Sequence, residues 1–174
     1  TLQPEMPAAF TVVNTRSSHQ TSAHYGARYS LYRNAMQNLR LGLIGAGRMG
    51  KYHALKLSEI DATLAAVADV DIKSARQLSA TCGAKAYTDY QEMLTQESLD
   101  AVFILTPPDV RLHPIQMACE SNLPVFCEKP PAFQLDEARQ IADILDASGV
   151  INSVGFNYRW YKAVDRVREL LDGK

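Results

Sequence analysis

Residues 45–50 read Gly-Ala-Gly-Arg-Met-Gly, directly after a short apolar run at 39–44 and directly before a stretch with helical spacing. Few folds accept three glycines at that spacing between a strand and a helix. The first, Gly45, permits a tight turn; the second, Gly47, lets another molecule approach the main chain; the third, Gly50, lets the helix pack close to its strand. The first turn of such a helix, at Arg48 and Met49, presents unpaired N–H groups and the positive end of the helix dipole, where a pyrophosphate binds. A lone GxGxxG is weak evidence, and here the flanking strand and helix supply the context that the motif requires.

The rest of the chain repeats the alternation. Apolar runs at 63–68, 84–87, 101–105, 124–127 and 150–156 read as further strands. Helical spacing covers 49–58, 72–81, 90–94, 110–120, 135–147 and 161–171, with Gly83 and Gly149 as stops and Pro114 either in a first turn or at a kink. Near-continuous apolar strands between helices predict an α/β fold: a doubly wound parallel sheet covered on both faces, of the Rossmann type. Asp69 lies 19 residues after Gly50, at the end of the second strand. A carboxylate there accepts hydrogen bonds from the adenine ribose and repels a 2′-phosphate, so NAD is expected over NADP. Asp71 competes for that role, and as a helix cap it has another.

Composition removes several alternatives. Eighteen Lys and Arg against nineteen Asp and Glu leave a formal charge of −1, so nothing draws the chain to nucleic acid or an anionic membrane. No apolar run approaches the roughly 18 residues of a membrane span. Three cysteines (82, 119 and 127) without CxxC spacing fit neither a disulfide framework nor a zinc site. They read as small buried residues in a reducing cytoplasm, with Cys127 set apart by its neighbours Glu128 and Lys129. Residues 1–40 carry four arginines and one acid, a balance of +3 against −4 for the remainder. Residues 1–37 read as an extension without function, a targeting peptide being the alternative.

Three later stretches sharpen the reading: Ile-Leu-Thr-Pro-Pro at 104–108 with His113, Cys-Glu-Lys-Pro at 127–130, and Gly-Phe-Asn-Tyr-Arg at 155–159. Together with the glycine turn, they resemble the Gfo/Idh/MocA family of oxidoreductases over about 38–172. The resemblance implies a dinucleotide domain over 38–156 and, from 157 to 174, the start of a second α/β domain that forms the substrate cleft. It places Thr106 and Pro107 beside the nicotinamide and His113 nearby. It puts Glu128 and Lys129 at the coenzyme, with Lys129 also on the substrate hydroxyl as the catalytic candidate, and Arg159 near the nicotinamide. The implied reaction is hydride transfer between the coenzyme and a small polyhydroxylated compound, a sugar or cyclitol.

Each of these residues also has a plainer reading. Glu128 and Lys129 can form a surface ion pair, His113 can simply open a helix, and Arg159 can pair with a surface acid. His53 reads as a solvent or packing histidine, and Phe156, Tyr158, Trp160 and Tyr161 as packing. A cis bond in the Pro130-Pro131 segment is left open. The resemblance further implies an Asp and a His, three residues apart, in the second domain. The four histidines lie at 19, 24, 53 and 113, none after Arg159. The chain is therefore expected to keep the coenzyme site, to lack a complete substrate pocket and to be inactive alone. A non-catalytic NAD-binding module is the alternative. Val164, Val167, Leu170 and Leu171 at helical spacing suggest a homo-oligomer.

Overall fold

A computed structural model describes residues 39–172, apart from the side chains of Arg159 and Trp160. The expected extension over 1–37 lies outside the described residues. The elements run β1 (Leu39–Ile44), α1 (Arg48–Leu57), β2 (Ala62–Ala68), α2 (Ile72–Cys82), β3 (Lys85–Tyr87) and α3 (Tyr90–Gln96). There follow β4 (Ala101–Ile104), a 3₁₀ turn (Pro108–Val110), α4 (Leu112–Glu120), β5 (Val125–Cys127), α5 (Leu135–Ser148), β6 (Asn152–Val154), a second 3₁₀ turn (Asn157–Trp160) and α6 (Lys162–Asp172).

All five strand pairings are parallel, in the order β3-β2-β1-β4-β5-β6. This is the doubly wound sheet that the alternation predicts. Side chains alternate along a strand, and a register shift between β1 and β2 at Leu41/Gly42 resets the alternation in β2, so Leu41, Leu43, Leu64 and Val67 all join the core under α1 and α2, with Ala54, Leu57, Ala75 and Leu78. Ile44, Val102, Ile104, Val125 and Cys127 belong to the opposite core, with Met93, Ile115, Ile141 and Leu145 from α3, α4 and α5. Fully burying one such aliphatic side chain stabilises by about 1.5–3 kcal/mol. The exposed Lys56–Glu59 and Arg139–Asp136 pairs contribute little, because water and salt screen them. The two cores therefore hold the sheet.

Several boundaries differ from expectation. The sixth strand covers Asn152–Val154 rather than 150–156, because the Phe156 N–H turns back to the Val154 carbonyl at 2.7 Å and the chain leaves the sheet edge. The expected helix over 110–120 is divided: a 3₁₀ turn, then Arg111, then α4, with Pro114 buried in its first turn. Asp71 caps α2 by accepting from the Lys73 and Ser74 N–H groups. Glu97, at the end of α3, accepts from the Tyr87 hydroxyl at 2.6 Å and from Lys85 at 2.7 Å, pinning that helix to β3. The three thiols are unpaired; Cys119 and Cys127 are buried and Cys82 is half-buried. Burial pushes the Cys127 thiol up. Among the described residues no helix is long and apolar enough to cross a membrane.

Candidate cofactor site

Every strand ends at the same edge of the sheet, and the first residue past every strand except the edge strand β3 continues the ladder. Asp69 N–H donates to the Tyr87 carbonyl, Gly45 N–H to Ala68, Leu105 N–H to Ile44, Glu128 N–H to Ile104 and Gly155 N–H to Cys127. One row at the carboxyl ends thus carries Asp69, Gly45, Leu105, Glu128 and Gly155. Strand order reverses between β1 and β4, which is where doubly wound sheets open a crevice for ligands.

Gly45 adopts φ 105°, and a Cβ there would lie 3.0 Å from the main chain of Leu105 and Thr106. A Cβ on Gly50 would lie 2.2 Å from the Gly45 carbonyl oxygen, so α1 sits directly on the turn. Gly47 is the reverse case: a Cβ would have no atom within 4 Å. Gly47 is also the N-cap of α1. No side chain caps this helix, and its first turn, at Arg48 and Met49, contains no acid. Open space before bare N–H groups and a positive dipole end fits the diphosphate of a dinucleotide.

Asp69 lies beside this turn. One carboxylate oxygen accepts from the Ala46 N–H at 2.6 Å and the other from the Asp71 N–H at 2.9 Å, which fixes the group while leaving acceptor capacity on both oxygens. Past β4, Thr106 Oγ1 is buried without a hydrogen-bond partner, alone in this among the described residues. Such a hydroxyl is costly unless a ligand meets it. Pro107 follows, exposed.

Glu128 is buried, so its surface ion pair with Lys129 does not exist. Its Oε1 meets His53 Nε2 at 2.9 Å, and its Oε2 accepts from the Lys129 main-chain N–H at 2.9 Å. The Lys129 side chain stands exposed, and the Lys129–Pro130 bond is cis. His53 is not a solvent residue: it packs on Phe103 and Phe126, with ring centroids 5.9 and 5.1 Å away. Helical spacing held a signal for this, since position 53 follows Gly50 by three residues on the inward face of α1. The link to Glu128, 75 residues distant, had no local signal. His113 is exposed near the start of α4, and its Nδ1 meets the Tyr90 hydroxyl. Burial pushes the Tyr90 phenol up. The side chain of Arg159 lies outside the described set.

Arg111 was absent from the sequence reading altogether, yet it is buried and binds main-chain carbonyls of the loops after β4 and β5. No cluster of side chains able to hold a metal ion occurs among the described residues.

The profile of the Gfo/Idh/MocA family, described as an oxidoreductase family with an NAD-binding Rossmann fold, matches residues 39–156. The rhizopine catabolism protein MocA of Rhizobium meliloti is 34% identical over 138 residues, covering 79% of this chain and 42% of that protein. A D-xylose 1-dehydrogenase of Haloferax volcanii, named as NADP(+)-dependent, is 33% identical, covering 75% of this chain and 40% of that protein. The crystal structure of myo-inositol 2-dehydrogenase from Lactobacillus plantarum superposes with a TM-score of 0.72 at 27% identity, covering 79% of this chain and 42% of that one. The chain thus spans about two fifths of the length of the relatives it matches.

Proposed function

The chain belongs to the Gfo/Idh/MocA oxidoreductase family, and from that premise we propose that it is the coenzyme-binding part of a dehydrogenase. The reaction is hydride transfer between a nicotinamide dinucleotide and a hydroxyl-bearing carbon of a sugar, cyclitol or related compound. The observation that carries this reading is the uncapped, acid-free start of α1 behind Gly47, with open space in front of it. The bound coenzyme supplies the hydride acceptor or donor; the protein supplies orientation and proton handling.

In this reading the N–H groups around Arg48 and Met49 hold the diphosphate, and Gly45 and Gly50 set the turn against its helix. Asp69 takes the adenine ribose hydroxyls, and its charge favours NAD over NADP. Thr106 and Pro107 line the nicotinamide end, where the orphaned Thr106 hydroxyl gains a partner. Lys129, free to move above a fixed main chain, serves the coenzyme ribose and the substrate hydroxyl. Glu128 contributes by positioning, since its carboxylate is buried and held between His53 and the Lys129 main-chain N–H. His113 and Arg159 complete the nicotinamide end. Residues 157–174 begin the substrate domain, the unpaired thiols suit a reducing cytoplasm, and the exposed Val167, Leu170 and Leu171 support self-association.

Calorimetric titration with NAD and NADP tests the site without a substrate. NAD should bind at least about tenfold more tightly than NADP, and D69N should close the gap. Equal affinities would remove Asp69 from its role, and no binding of either would remove the function. The 174 residues should complete no turnover alone; NADH formation from NAD and a polyol by the purified chain would refute that.

A further inference from the structure

Arg111 stands between the 3₁₀ turn and α4 and is only 4% exposed. A charged side chain so far from water needs partners for its donors, and the usual partner is a carboxylate. Arg111 has carbonyls instead. Its Nε and Nη2 both donate to the Thr106 carbonyl, at 2.8 and 2.6 Å, and its Nη1 donates to the carbonyls of Glu128 and Pro130. The first carbonyl belongs to the loop after β4, the other two to the loop after β5. The strand ladder between these loops stops at the Glu128 N–H bond to Ile104. Beyond that point, one planar guanidinium ties them together.

We propose that Arg111 is a positioning residue for the nicotinamide end of the site. It fixes the main chain of Thr106, whose hydroxyl lacks a partner, and the main chain on either side of Lys129. Its hydrogen bonds go to the Thr106, Glu128 and Pro130 carbonyls and not to the glycine turn, where the diphosphate is read to bind. The inference rests on the coenzyme reading above and adds a specific division to it: Arg111 governs the nicotinamide half of the coenzyme and leaves the ADP half alone. The fork matters as well as the charge, because a lysine ammonium is a point donor that cannot span three carbonyls in one plane.

The test compares the whole 174-residue chain with its R111K and R111M variants, using two probes. ADP-ribose carries the adenine, the diphosphate and both riboses without nicotinamide; its affinity is measured by calorimetry. NADH carries the reduced ring, whose emission reports its surroundings. Both variants should bind ADP-ribose within about twofold of the wild type, while NADH affinity falls about tenfold and the emission change on binding is lost. Equal losses for both probes would make Arg111 a merely structural residue and overturn the proposal, as would unchanged NADH binding. If R111M does not fold, R111K decides by the same criteria. A wild-type chain that binds ADP-ribose yet leaves NADH emission unaltered sinks the Arg111 inference alone. A wild-type chain that binds neither probe sinks the coenzyme reading and this inference with it.

Discussion

At the end of β1 the site is shaped by main chain: Gly45 at φ 105°, α1 seated directly on the turn at Gly50, and a helix start with no side chain across it. At the ends of β4 and β5 it is shaped by buried side chains: Arg111 on three carbonyls, and Glu128 between His53 and the Lys129 amide. The two ends fail in different ways. A backbone-built site is spoiled by adding atoms, since its shape rests on space left beside the main chain. A side-chain-built site is spoiled by removing atoms, because each buried polar group left behind has lost the group that satisfied it.

The sharpest way to break this contrast lies within the glycine turn. Gly50→Ala must push α1 off the Gly45 carbonyl, so denaturant melts should show a loss of about 3 kcal/mol or more. Gly47→Ala projects into open space; it should cost about 1 kcal/mol or less while abolishing dinucleotide binding in calorimetry. If the two variants destabilise equally, the turn is not built as described. Next in size, His53→Leu leaves the Glu128 carboxylate buried beside a hydrocarbon and should cost about 2 kcal/mol. Adding Glu128→Gln should recover part of that loss, and strict additivity in the cycle would show that the pair does not couple.

The smallest effect concerns the Tyr87–Glu97–Lys85 side-chain cluster, which adjoins the site through the main-chain bond from Asp69 N–H to the Tyr87 carbonyl, and serves as its control. The hydrogen bond to Glu97, aided by burial, pushes the Tyr87 phenol up from 10.0 to about 12. A group raised on folding stabilises fully below its unfolded value and loses that contribution as pH rises through the folded one. Stability should therefore fall between pH 10 and 12, and less steeply in Tyr87→Phe. Glu97 works in the opposite sense: hydrogen bonds from Lys85 and then Tyr87 hold its carboxyl below the usual range, so its contribution fades only in acid. Coenzyme affinity in Tyr87→Phe should match the wild type by calorimetry.

The same contrast accounts for what could be read from residues alone. The glycine turn was legible because each glycine answers a local demand of the main chain, and the alternation of apolar runs and helical spacing carried the sheet. Asp71 was legible as a cap because its partners lie two and three residues on. Arg111 was not, because its loop partners at Glu128 and Pro130 lie 17 and 19 residues away and an arginine before a helix has no distinctive pattern. Glu128 was placed at the coenzyme by its Glu-Lys-Pro motif, with a surface ion pair as the plainer reading; its burial against His53 was not legible, since nothing nearby in sequence announces that His53 will reach it. The sixth strand was overextended for a related reason: apolar residues at 150–156 satisfy the pattern, but an edge strand ends where its single neighbour stops pairing, at Val154.

On the proposed reading, the bare amino end of α1 ties folding to the dinucleotide that it holds. A ligand bound only by the folded chain adds its binding free energy to stability, about 2.7 kcal/mol at a concentration one hundred times its dissociation constant. Two preparations of identical sequence that carry over different amounts of nucleotide should thus melt at different temperatures. Inside a cell, the lifetime of the folded chain would follow the size of the dinucleotide pool.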